Sequence, residues 1–165
     1  MHVVLEKALE ILTAPARNTD VFWTLLPVYA VWITNEILFE RQTKQFYNVF
    51  WNGFTGLWVG LSWMRFLTKD FKITPSLGLE FGLSIFICIY GVWLMVQAME
   101  GHKISKFLGS TRIMSFTTIY LSTIIYRLIT PDIYSIAGAV LLFFVLSIVL
   151  WIMHKILPDM PGEIS

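Results

Sequence analysis

Six polar residues stand out because each lies within an apolar stretch of the chain: Asn35, Glu36, Asn52, Gln97, Arg112 and His154. Polar side chains in such surroundings are costly to bury and have to find partners, so they mark structural glue or a functional site. Counted from the ends of their stretches, all fall within one or two turns of the same end. They come from different segments, apart from the adjacent Asn35 and Glu36. The arrangement predicts a polar layer in which Glu36 pairs with Arg112, assisted by Asn52. Such a layer either holds helices together or accepts an ion or small polar solute. Removing one member of a buried ion pair costs about 3–5 kcal/mol, so the layer matters structurally under both readings.

At the opposite end, Arg65, Glu80 and Arg127 lie at comparable depth on three other stretches. Glu80 falls in the first turn of its segment, where the helix dipole favours a carboxylate, and Ser76 is placed to cap that turn. Capping and a surface ion pair account for these residues. A charged ring around an axis would use the same ones if several chains met there. Hydroxyls form a third pattern. Thr111, Ser115, Thr118 and Ser122 follow helical spacing along one side of a single segment. They either bond back to their own helix carbonyls or line a hydrated path between Arg112 and Arg127. This segment is the one expected beside a pore or cavity.

Familiar catalytic signatures are missing. His2, His102 and His154 stand apart, without the His-Glu-x-x-His spacing that binds zinc. There is no Gly-x-Ser-x-Gly elbow, no phosphate-cradling glycine loop and no Cys-x-x-Cys pair, the one cysteine being Cys88. No catalytic residue, metal site or cofactor is predicted, and an enzyme is unsupported.

The elements that carry these residues are long and oily. Five segments, 21–39, 47–67, 77–99, 107–129 and 134–157, have the about 17–25 residues a helical membrane span needs. Hydrophobic residues make up 56% of the 165 and charged residues 14%, against about 25% charged in a soluble domain. Mean hydropathy is +0.69. Backbone groups in hydrocarbon have to be satisfied within the segment, so the spans are expected to be helices.

The predicted fold class is therefore all-α: a polytopic transmembrane helical bundle over residues 16–157, with about five spans and a C-terminal tail at 158–165. A short amphipathic surface helix precedes it at 1–15, with Leu5, Ala8, Leu9 and Leu12 on one face and Glu6, Lys7 and Glu10 on the other. Those charges also argue against a cleavable signal. Thr13, Ala14 and Pro15 are expected to end this helix. The fourth span is the weakest, because Arg112 and Arg127 bracket a short uncharged core; a re-entrant segment there would leave four spans. Short connections imply that consecutive helices are antiparallel neighbours. Gly56 with Gly60, and Gly78 with Gly82, carry the four-residue spacing of close helix packing. Pro27 is expected to kink the first span.

Net charge is +1, from twelve basic and eleven acidic residues, which excludes an electrostatic nucleic-acid surface. The basic residues divide evenly between the two sides of a five-span topology and set no orientation. The expected partners are the lipid bilayer and either further copies of the chain or a larger membrane complex. The first functional expectation is a small oligomeric channel or transporter-like protein for ions or small solutes. The alternative is a non-catalytic membrane subunit or scaffold docking through its N-terminal helix, with a lipid-modifying or redox enzyme third.

Overall fold

Asn18 closes one helix and opens the next. Its amide bonds to the Ala14 carbonyl at 3.2 Å, and its side-chain oxygen accepts from the amides of Asp20 and Val21 at 2.9 and 3.2 Å. Both ends are thereby supplied with partners that the helices themselves cannot provide. The computed structural model describes residues 2–34, 45–69, 77–100 and 111–156, the side chains of 45, 46, 150 and 153–156 excepted. Its helices are α1 (His2–Arg17), α2 (Thr19–Thr34), α3 (Gln45–Lys69), α4 (Leu77–Glu100), α5 (Thr111–Ile125) and α6 (Ile133–Ile156). No strand occurs among the described residues, so the fold is all-α.

The expected stop at Pro15 is passed, and α1 runs on to Arg17. Pro15 lacks only the amide that would reach the Ile11 carbonyl, and the Asn18–Ala14 bond ties down the following turn. The apolar sector of α1 also divides differently from the expectation. Ala8, Ile11 and Ala14 are buried, whereas Leu5, Leu9 and Leu12 are exposed. The cause is close approach. A Cβ at Gly138 would sit 2.9 Å from the Ala8 amide nitrogen and 3.0 Å from the Val4 carbonyl oxygen, so this contact favours small side chains and leaves the leucines outward.

The tightest packing joins α3 to α4. A Cβ added at Gly53 would come within 2.6 Å of the Gly91 carbonyl oxygen, and one at Gly91 within 2.5 Å of that of Gly53. Gly60 faces Ser84 and Cys88 in the same seam. Of the expected pairs, Gly56 and Gly60 lie in this contact, while Gly78 and Gly82 have nothing within 4 Å. Among the described residues α4 makes extensive helix–helix contact with α3 alone, and α5 packs on α2 and α3. α6, although consecutive with α5, packs chiefly on α1. Between α5 and α6 there remain a Tyr120–Ser135 hydroxyl contact at 3.1 Å and a Phe116–Phe143 ring pair 5.1 Å apart.

The turn between α5 and α6 explains this divergence. Leu128 N bonds to Thr123 O at 2.9 Å and Arg127 N to Ile124 O at 2.8 Å, the double bond of a Schellman cap. Arg127 occupies the left-handed position at φ 57°. Asp132 then opens α6: its carboxylate accepts from the Ser135 amide at 2.6 Å, and Ser135 Oγ accepts from the Asp132 amide at 3.1 Å. This is a reciprocal capping box.

One described helix, α4, is long and apolar enough to cross a membrane, and only 28% of its most apolar stretch is buried. α6 contributes a shorter apolar stretch, Ile133–Val149. The expectation of five spans is thus met by one helix. Within the described residues α2 and α5 comprise 16 and 15 residues, fewer than a span needs, and α3 is diluted by Asn48, Asn52, Arg65 and Lys69.

Large apolar side chains are exposed and several small polar ones are buried beside the apolar core. Phe86, Ile89, Phe144, Ile148 and Trp151 are between 56% and 64% exposed, while Asn52, Ser84, Thr118, Ser122, Thr123 and Ser135 are buried.

The glycine seam generates a direct test. Gly91→Ala and Gly82→Ala gain the same helix propensity, but only the first forces a methyl into backbone. Gly91→Ala is expected to be about 1–3 kcal/mol less stable than Gly82→Ala in thermal unfolding, as overpacking predicts; equal stability would remove the seam.

Candidate functional site

A cavity of about 530 Å³ opens between the start of α2, the second half of α3 and the turn after α5. Its origin is local. Pro27 has no amide, so the Trp23 carbonyl that would accept from it is released. Trp58 of α3 takes up that carbonyl through Nε1, at a long 3.4 Å. The proline thus links α2 to α3 through a side chain and holds Trp23 and Trp58 at the cavity wall.

Deeper in, Thr24 donates to the Asp20 carbonyl at 2.8 Å, so the Tyr126 hydroxyl, 2.6 Å from Thr24 Oγ, is the donor in the second bond. Tyr126 is buried, and its ring lies 4.5 Å from that of Phe66. Asp20, Arg65 and Lys69 carry the charge of the cavity. Arg65 and Lys69 are four residues apart, one face of α3. Among the described residues none of the three makes an ion pair. The cavity therefore offers two cations, one carboxylate, an aromatic wall and a hydroxyl pair anchored behind them.

Beside it lies Arg127. Its guanidinium is 3.8 Å from Glu80 Oε2, with Arg127 partly exposed and Glu80 largely covered. That carboxylate oxygen is buried and has no hydrogen-bond partner among the described residues. Of the three charges expected at this end, the structure pairs Glu80 with Arg127 and directs Arg65 to the cavity.

At the other end, Asn52 is buried and donates to Thr111 Oγ at 3.0 Å. Gln97 is half-buried and lies 3.5 Å from Glu100. Arg112 is half-buried at the start of α5. Asn35, Glu36 and the His154 side chain lie outside the described residues, as do the expected Glu36–Arg112 pair and the Ser76 cap. Trp32 Nε1 and Asn48 Oδ1 are buried without hydrogen-bond partners among the described residues.

The hydroxyl side of α5 faces protein. Ser115, Thr118 and Ser122 are buried, and Thr111 is half-buried. Ser122 accepts from Trp63 Nε1 at 3.0 Å, and Thr118 donates back to the carbonyls of Met114 and Ser115. These groups tie α5 to α3 and border the cavity only through the neighbouring Tyr126. Among the described residues no three His, Cys, Asp or Glu side chains converge to hold a metal ion.

The residues that build the cavity, Asp20, Thr24, Trp58, Lys69 and Tyr126, were not singled out by sequence reasoning. The available signal was Pro27, which frees the carbonyl four residues before it. No protein-family model, curated protein or solved structure matches the chain.

Arg127 provides a test with an internal control. Arg127→Ala and Arg127→Gly both remove the pair with Glu80, but only glycine adopts the left-handed position without strain. The glycine variant is expected to be about 1 kcal/mol more stable than the alanine variant in thermal unfolding. Equal stability would contradict the cap.

Proposed function

We propose that the chain is a multi-pass integral membrane protein, with about five segments crossing the bilayer, that moves ions or small solutes as an oligomer. The observation that carries this reading is the broad apolar exterior of α4 and α6, found together with polar side chains buried in a mainly apolar interior. Hydroxyl and amide side chains of α2, α3, α4 and α5 are buried, and broad apolar faces of α4 and α6 are exposed. Water penalises such an exterior, and large exposed apolar surfaces mark membrane or protein contact. Hydrocarbon favours it, provided that interior polar groups are satisfied. The solute path in this reading opens at the Asp20–Arg65–Lys69 cavity and leads towards Arg112 beside α5, whose own hydroxyls are bonded to protein. Polar groups inside a membrane bundle are the usual markers of such a path.

A second reading has its own support. The outward Leu5, Leu9 and Leu12 of α1 form an apolar edge, suited to docking in a larger complex as a non-catalytic subunit or scaffold.

Flux into proteoliposomes separates the two. The transport reading expects ion or solute uptake by the full-length chain, lowered by Glu36→Gln or Arg112→Gln. The scaffold reading expects the rate of empty vesicles and a co-purifying partner that is lost when residues 1–12 are deleted.

A further inference from the structure

We infer that the cavity between α2 and α3 is a binding site for a phosphodiester monoanion presented at the membrane interface. Arg65 and Lys69 point from one face of α3 into the same space, and neither is neutralised by an ion pair among the described residues. Position near the C-terminus of α3 accounts for a cation at Lys69 through the helix dipole. It does not account for a second cation one turn earlier sharing a cavity with a carboxylate from another helix. Arg65 and Lys69 against Asp20 leave one net positive charge, which matches a singly ionised phosphodiester better than a dianionic monoester.

The surroundings fit the same ligand. Arginine presents a planar fork of donors suited to phosphate oxygens, and lysine adds a point charge. Thr24 and Tyr126 form the polar back of the cavity, their hydroxyls already bonded to each other. Trp23 and Trp58, both exposed, stand at its mouth. Trp23, near the start of α2, suits headgroup depth, where indoles with one apolar and one polar side are favoured, while Trp58 extends the aromatic wall from the middle of α3. Leu61 continues the apolar lining, so a tail attached to the phosphate would meet lipid-compatible surface. Asp20 opposes the anion and sets the charge limit of the site.

The inference rests on the membrane placement proposed above and not on transport. A phospholipid headgroup and a soluble diester share the recognised chemistry, and two probes separate them. Full-length chain in maltoside micelles is titrated calorimetrically with dihexanoyl-phosphatidylglycerol and, separately, with dimethyl phosphate. Binding of both assigns a soluble phosphodiester; binding of the first alone assigns a lipid headgroup. In either case Arg65→Gln with Lys69→Gln weakens binding by roughly tenfold or more, the scale of a lost charge-assisted contact. Arg65→Lys weakens it less, and Asp20→Asn tightens it. Arg65 and Lys69 are exposed, so the double variant is expected to keep the melting temperature of the parent. Failure of the parent to bind either probe, or equal binding by a double variant that melts normally, would overturn the site. Flux without phosphodiester binding would remove this inference and leave transport standing, and binding without flux would do the reverse.

Discussion

Most polar side chains buried in this bundle find partners inside the chain, Trp32 Nε1, Asn48 Oδ1 and Glu80 Oε2 being the exceptions among the described residues. That pairing organises the interior. Thr118 and Ser84 return their protons to carbonyls in their own helices, a local solution that needs no neighbour. Trp63 and Asn52 instead reach across to Ser122 and Thr111 and fix α3 against α5 at two heights. Tyr126 and Thr24 do the same between α2 and the turn after α5. In the membrane placement proposed above, where the hydrophobic effect does not draw helices together, such bonds and close backbone approach would join them.

The glycine seam is the second means. Without side chains at Gly53 and Gly91, α3 and α4 approach until backbone meets backbone, and the long contact gathers dispersion energy along the seam. Because α4 is attached through this seam, nearly all its remaining circumference is free to face outward, as the exposure of Leu79, Phe86, Ile89 and Met99 records. Gly138 gives α1 the same kind of purchase on α6. The first and last helices are thereby brought together, while α5 is left to pack on α2 and α3.

Much of the framework was legible in the residues. Helix positions over 77–99 and 134–157 follow from unbroken apolar runs, and they match α4 and α6 closely. Gly56 and Gly60 announced a packing face through their spacing. The same spacing at Gly78 and Gly82 carries no partner, because a small-residue repeat states what a face permits and not what reaches it. The α1 leucines were legible as an apolar set, but the close approach that excludes them from the contact depends on Gly138, distant in sequence. The cavity was hidden for a similar reason. Asp20, Lys69 and Tyr126 look like ordinary helix-end residues one by one, and only the crossing of α2 over α3, held by Trp58 on a carbonyl freed by Pro27, brings them together.

The central claim is that hydrocarbon, rather than water, is the solvent of the outer faces of α4 and α6. The most direct measurement places nitroxide labels at Ile89 and Ile148, in turn, in a Cys88→Ser background, and compares collision with oxygen and with a water-soluble nickel chelate in reconstituted bilayers. Both positions are exposed, by 64% and 56%, so neither reagent is blocked by protein. High oxygen and low nickel accessibility at both sites is the predicted result. High nickel accessibility at both would place those faces in water and contradict the account.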